Sequence, residues 1–190
     1  ATGNINVKSR DNVYVGGLVG QHLGDIINSY ATGAISVVPN GAFNYGYVGG
    51  LVGASSGDIT NCYATGSVCI TAGGDNLYAG GLLGYNYSGS KINNSYATGD
   101  VTAIIDRYND NAFVGGLTGK QTTDVLNCYR SSDQLVGLIE NNTSASMQIN
   151  PYGTEKSLAE LQSVFFIIFT LEWDTEVWIL TEATYPVLRN

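Results

Sequence analysis

The chain has 190 residues, of which 44% are hydrophobic, 25 are glycine and 13% are charged, with a net charge of −8. So large a hydrophobic share excludes a disordered chain, and the acidic balance argues against nucleic acid as a partner. The uninterrupted apolar stretch from Val164 to Phe169 is six residues long, far short of the ~20 that a membrane helix needs, so no membrane insertion is expected within this segment.

High glycine with low charge predicts many short strands joined by tight turns. The chain opens on Ala1-Thr2-Gly3-Asn4-Ile5, which matches the end of a unit seen repeatedly further on, so further repeats are expected N-terminal to it in a longer protein. Tyr14-Val15-Gly16-Gly17-Leu18-Val19-Gly20 follows, and then Asn28-Ser29-Tyr30-Ala31-Thr32-Gly33. The same two phrases return at Tyr47 to Gly53 with Asn61-Cys62-Tyr63-Ala64-Thr65-Gly66, and at Tyr78 to Gly84 with Asn94-Ser95-Tyr96-Ala97-Thr98-Gly99. A fourth copy, Phe113 to Gly119 with Asn127-Cys128-Tyr129, runs into Arg130-Ser131-Ser132 instead of Ala-Thr-Gly, a sign that the array is ending.

Tyr30, Tyr63, Tyr96 and Tyr129 step by 33, while Leu18, Leu51, Leu82 and Leu117 step by 33, 31 and 35. One structural unit is being stacked, with its length variation in loops. The runs within it are short, rich in β-branched and aromatic residues and broken by Gly, Asn and Asp, so each unit is predicted to hold two or three strands. A unit that returns the chain to the same place after about 33 residues predicts an all-β parallel β-helix of about four coils over residues 1–150.

Alternation along the second phrase assigns its faces. Ile26, Ile59, Ile92 and Val125 share parity with Asn28, Asn61, Asn94 and Asn127 and with the four tyrosines; the other parity carries Ala31, Ala64, Ala97 and Arg130. Because arginine is almost never buried unpaired, the Ile, Asn and Tyr columns are expected to face inward. Stacked asparagines can then bond along the axis. The tyrosine column is expected to be interior stacking, the alternative being a sugar-binding ladder. In the first phrase the leucines share parity with Tyr14, Tyr47, Tyr78 and Phe113, and the opposite parity, which admits Thr118, is expected to be less buried.

The longest insertions are Val38 to Tyr45, Thr71 to Asn76 and Thr102 to Asn111. Asp106, Tyr108 and Asp110 in the last are candidate binding residues, although their spacing is not that of a calcium loop. Cys62 and Cys128 replace Ser29 and Ser95 in alternate units; two strand spacings, near ~10 Å, put them beyond disulfide reach, and Cys69 has no evident partner.

Chemical constellations are sparse. The single histidine, His22, cannot make a zinc-peptidase pair, and no nucleophile elbow accompanies it. Asp25 and Asp58 fall at the same place in successive units, with Lys91 and Asp124 following. They are the only hint of carboxylate chemistry on glycans, and are read as loop residues. No catalytic residue, metal or cofactor is predicted.

The repeated Gly17-Leu18-Val19-Gly20, Gly50-Leu51-Val52-Gly53, Gly81-Leu82-Leu83-Gly84 and Gly116-Leu117-Thr118-Gly119, each with Asn-Cys/Ser-Tyr, resemble the GLUG motif over about residues 1–130. The resemblance implies a large secreted or surface-attached bacterial protein, such as an adhesin-like protein or a zinc-dependent immunoglobulin-A peptidase whose catalytic domain lies elsewhere. It implies an extracellular or cell-surface location, a host protein or glycan as partner, and no catalytic residue within the motif. The leading expectation is a non-catalytic stalk or binding surface; the enzyme alternative is a glycan-active β-helix.

From Pro151 the pattern changes, and residues 151–190 are expected to form a capping segment. Ser157-Leu158-Ala159-Glu160 has the form of a capping box, and Leu158, Leu161, Phe165 and Ile168 make a helical stripe. Two apolar runs follow, around Val177-Trp178-Ile179-Leu180 and Tyr185-Pro186-Val187-Leu188. This helix and these strands are expected to cover the open solenoid end, with Trp173 and Trp178 as anchors or, alternatively, as a ligand-binding pair.

Overall fold

The structure, a computed structural model, describes residues 1–39, 45–72, 76–87, 89–105, 111–120, 124–140, 147–150 and 152–189. The repeat does coil: like strands of successive units pair in parallel, building three five-stranded and two four-stranded sheets of a β-solenoid. Each unit holds five strands rather than two or three, as in Tyr45–Gly49, Val52–Ser55, Ile59–Thr60, Tyr63–Ala64 and Val68–Ala72. Two of these are only two residues long, too short for a pattern to register. The insertions also contribute strand, since Val101–Ile105 continues the ladder of Val68–Ala72.

Register is strict. Tyr63 pairs with Tyr30 and Tyr96, and Tyr96 with Tyr129; in the first strand of the unit Tyr47 pairs with Tyr14 and Tyr78, and Tyr78 with Phe113. The interior has two apolar compartments. Val15, Val48, Ala79 and Val114 face Val37, Ile70 and Ala103 in one, and Leu51, Leu82, Ile59, Ile92 and Ala64 fill the other. Glycine makes the coils fit: a Cβ on Gly50 would lie 2.0 Å from the Gly81 carbonyl oxygen, closer than any side chain could be accommodated. The opposite parity is no less buried than the leucines, because the chain bends at Gly50 and Leu51 and brings both Leu51 and Val52 inside.

The predicted facing of the tyrosines is overturned. Asn28, Asn61, Asn94 and Asn127 have φ of 50°, 55°, 48° and 53°, the left-handed region that asparagine tolerates better than other side chains. A left-handed residue resets the alternation, so Ile59 points in, but beyond Asn61 it is Cys62 and Ala64 that point in while Tyr63 points out. The asparagines themselves sit at the corner, half-buried in the first three units and exposed at Asn127. The Asn61 amide donates to Asn28 Oδ1 at 3.2 Å, the axial bond expected of the column.

Arg130 consequently stands in the inward alanine column, not outside it. It is tolerated because it lies in the fourth unit and its guanidinium reaches Glu155, its register partner on the strand Thr154–Lys156. Nearby, the buried Gln134 amide donates to the carbonyls of Gly99 and of Gly116, the latter at 2.9 Å. Polar side chains thus close the interior at this end.

The tail lies elsewhere than predicted. Thr154–Lys156 extends the tyrosine sheet, and the capping box is present at Ser157 and Glu160, where α1 (Leu158–Leu161) begins. The chain breaks at Gln162-Ser163 and restarts as α2 (Val164–Phe169), which shifts the stripe. Leu161, Phe166 and Ile167 are buried, whereas Phe165 is 67% exposed. After the antiparallel pair Trp178–Ile179 and Val187–Leu188, the chain has run back along the flank over the outward tyrosines. Among the described residues no helix is long and apolar enough to cross a membrane.

Candidate functional site

Two ladders of aromatic rings project from the solenoid, one from each repeated phrase of the unit. The first comprises Tyr30, Tyr63, Tyr96 and Tyr129. Tyr30 and Tyr63 stack with centroids 5.0 Å apart and Tyr63 and Tyr96 at 5.2 Å, both within 5° of parallel, while Tyr129 meets Phe166 edge-on. Trp173 lies against Tyr63 and Tyr96 at 6.1 and 5.8 Å, and Trp178 against Tyr30 and Tyr63 at 6.1 and 6.0 Å.

Hydrogen bonds fix this covering unit by unit. Asn127 Nδ2 donates to the Thr170 carbonyl at 3.0 Å, and Trp173 Nε1–H donates to the Asn94 carbonyl at 2.9 Å. Further along, Thr98 and Tyr185 hydroxyls are 2.9 Å apart, and the Tyr63 O–H donates to the Pro186 carbonyl. Burial pushes the Tyr63 and Tyr96 phenols well above the usual tyrosine range. Trp173 and Trp178 are therefore buried packing anchors on the flank and bury Tyr63 and Tyr96 with them, while Tyr30 and Tyr129 at the two ends of the ladder are half-buried.

The second ladder is Tyr14, Tyr47, Tyr78 and Phe113, with successive centroids at 4.8, 5.2 and 5.3 Å. The next strand of each unit presents Gln21, Ala54, Tyr85 or Lys120 in one register column. Tyr85 meets Tyr47 and Tyr78 edge-on at 5.5 and 4.9 Å, and the Lys120 ammonium lies 4.5 Å from the Phe113 ring centre. Tyr45 lies near-parallel to Tyr47 at 6.0 Å, and Tyr87 stands edge-on to Tyr85 at 4.9 Å. Tyr14 and Tyr45 are 37% and 41% exposed, but Tyr47 only 8%. Desolvation and the neighbouring hydroxyls of Tyr87, Tyr14, Tyr78 and Tyr45 hold the Tyr47 phenol in its neutral form. The recurrence of an aromatic residue at the head of each first phrase was the signal for this cluster; Tyr85 and Tyr87 occur in one unit and gave none.

The acidic row has a structural occupation. Asp25 Oδ1 accepts from the Asp58 backbone N–H at 2.9 Å, and Asp58 Oδ1 from that of Lys91 at 2.7 Å. These carboxylates bridge coils. His22 ends the strand Val19–His22, paired with Ser55. Among the described residues no three His, Cys, Asp or Glu side chains gather where they could hold a metal ion. The cysteines are free; burial raises the Cys62 and Cys128 thiols to about 12, so neither is a thiolate near neutrality. Asp106, Tyr108 and Asp110 lie outside the described residues.

Stacked units, axial ladders and glycine-mediated coil contacts define a parallel β-solenoid repeat protein. The sequence model described as "The GLUG motif" matches residues 11–37, 44–68 and 75–102, and the chain is a GLUG-repeat protein. No curated protein and no solved structure matches it. The matched copies are the first three; the fourth, with Arg130 in the alanine column, falls outside them.

Proposed function

We propose that this is a non-catalytic repeat region of a secreted or cell-surface bacterial protein, serving as a rigid stalk that also presents a binding face to a host protein or glycan. The observation that carries the reading is the tail's attachment along the coil axis. Its polar contacts fall on Asn127, Asn94 and Tyr63 in successive units, and its Trp178 ring reaches Tyr30 in the first. A strap across several units resists their separation, because each interface of a stacked array otherwise depends on its neighbours alone. Reading the chain as a spacer fits that mechanical tie, and the engagement of Asp25 and Asp58 with backbone N–H groups supports it over a glycan-cleaving site.

Pulling the chain from its two ends in a single-molecule force experiment tests the reading. One all-or-none rupture of the array is expected, whereas unit-by-unit unzipping at low force would contradict the stalk. Turnover of glycans by the purified chain would favour the enzyme alternative.

A further inference from the structure

The tail that covers the Tyr30 ladder has an outer face of its own. Every residue of α2 is apolar, from Val164 to Phe169. Phe166 and Ile167 are buried in the cluster on the ladder, whereas Phe165 and Phe169, about one turn apart, are each 67% exposed with ring centroids 4.8 Å from one another. A helix that is apolar all round is one that is covered all round, and packing on the tyrosines covers only one side of α2.

Carboxylates mark both ends of this bare stripe. At its start the Val164 N–H donates to Glu182 Oε1 at 3.3 Å, and beyond Phe169 at its end stands the exposed Glu172. Glu172 has φ 55°, a left-handed backbone that glycine adopts without strain, so the chain holds a carboxylate where the backbone opposes it. The ion pairs among the described residues, Arg130 with Glu155 and Lys156 with Glu160, leave both of these acids unneutralised. We propose that the outer face of α2 docks a cationic amphipathic helix of a partner protein, with apolar side chains on Phe165 and Phe169 and a lysine or arginine at each end against Glu182 and Glu172.

The order of acid, apolar and acid selects that occupant. α2 is about 9 Å long, so cations roughly two to three turns apart on the partner meet both carboxylates, while the apolar residues between them, recurring at three and four, cover the rings. A second copy of this chain is the wrong partner, since a two-fold contact brings these carboxylates together whichever way the helices run. An anionic lipid surface meets the same repulsion. The inference rests on the binding-face half of the proposed function and deepens it by naming the partner's chemistry; the stalk half stands without it.

The test is fluorescence anisotropy of a labelled peptide of leucine, alanine and lysine, about 14 residues long, with leucines on one helical face and lysines at both ends. Titration with the whole chain should give saturable binding, weakened about tenfold in Phe165→Ala with Phe169→Ala and about fivefold in Glu172→Lys. Asp11→Lys changes the net charge equally but lies in an exposed part of the first unit, and should weaken binding less than about twofold. If the double variant does not fold, Phe169→Ala alone carries the same expectation, because that ring is already mostly in solvent. No saturable binding, equal binding of a scrambled peptide of the same composition, full affinity in the folded phenylalanine variants, or equal losses from Glu172→Lys and Asp11→Lys would overturn the proposal. So would binding to phosphatidylcholine vesicles, or self-association in sedimentation, that the phenylalanine substitutions abolish while the peptide stays free. Each of these leaves the force-rupture result unchanged, so loss of the docking site and loss of the stalk are distinguishable.

Discussion

The Tyr30 ladder and the Tyr14 ladder are built alike, from one ring per unit paired in register and stacked about 5 Å apart. One is sealed by a helical and hairpin segment bearing two tryptophans; the other is edged by a single column of mixed side chains. The contrast teaches that a stacked aromatic column is half of an interface. What completes it decides whether it serves stability or remains available for recognition.

The sealed side should dominate stability. Trp178, fully buried against Tyr30, Tyr63 and Trp173, is the centre of the cover. Trp178→Ala should cost about 3–5 kcal/mol in urea unfolding. Tyr45→Ala on the open side should change stability by less than about 1 kcal/mol. Equal losses would erase the distinction between the ladders.

The next effect concerns the corner that turns the first ladder outward. Asn61 has φ 55°, so Asn61→Ala should cost about 1–2 kcal/mol from backbone strain alone. Asn61→Gly should cost less than the alanine variant, since glycine has no Cβ to clash. Thermal melts of the two variants suffice; the reverse order would remove the reason for the phase reset.

A smaller difference separates two tyrosines of the sealed ladder. The Tyr63 hydroxyl donates to the Pro186 carbonyl, whereas the buried Tyr96 hydroxyl has no partner among the described residues. Tyr63→Phe should therefore cost about 1 kcal/mol and Tyr96→Phe nothing or less. Similar losses from both would mean that the cover does not bond to Tyr63.

The least perturbing probe is pH. Tyr63 and Tyr96 have folded pKa values raised above the ordinary value of 10.0. The unfolded chain therefore releases those protons first as pH rises, and their contribution is complete below about 10 and lost above it. The melting temperature should start falling near pH 10, with a shallower fall in a Tyr63→Phe, Tyr96→Phe double variant. An identical slope in that variant would place the titrating groups elsewhere.

Coil architecture was legible in the sequence because the solenoid repeats residues at fixed intervals, and Tyr30 to Tyr129 can be stacked only by one coil per unit. Facing was not legible beyond Asn61, since parity counting assumes extended backbone, and asparagine's tolerance of positive φ does not say which asparagine adopts it. Arg130 misled for a related reason: its burial is relieved by Glu155, a partner 25 residues away. In the tail, the capping box at Ser157 was local and readable. The break at Gln162-Ser163 was not, and it turned Phe165 outward and Phe166 inward. The tail's apolar residues called for a cover over some surface, but the flank it covers was itself misassigned to the interior.

The central claim is that the tail lies on the outward tyrosines and not on the end of the array. Proton-proton nuclear Overhauser effects from the Trp173 and Trp178 indoles decide it. Cross-peaks to the rings of Tyr63 and Tyr96, with a slowly exchanging Trp173 indole N–H, are the predicted result. Cross-peaks to Leu117 and Gly153 at the array's end, with none to those tyrosines, would contradict it.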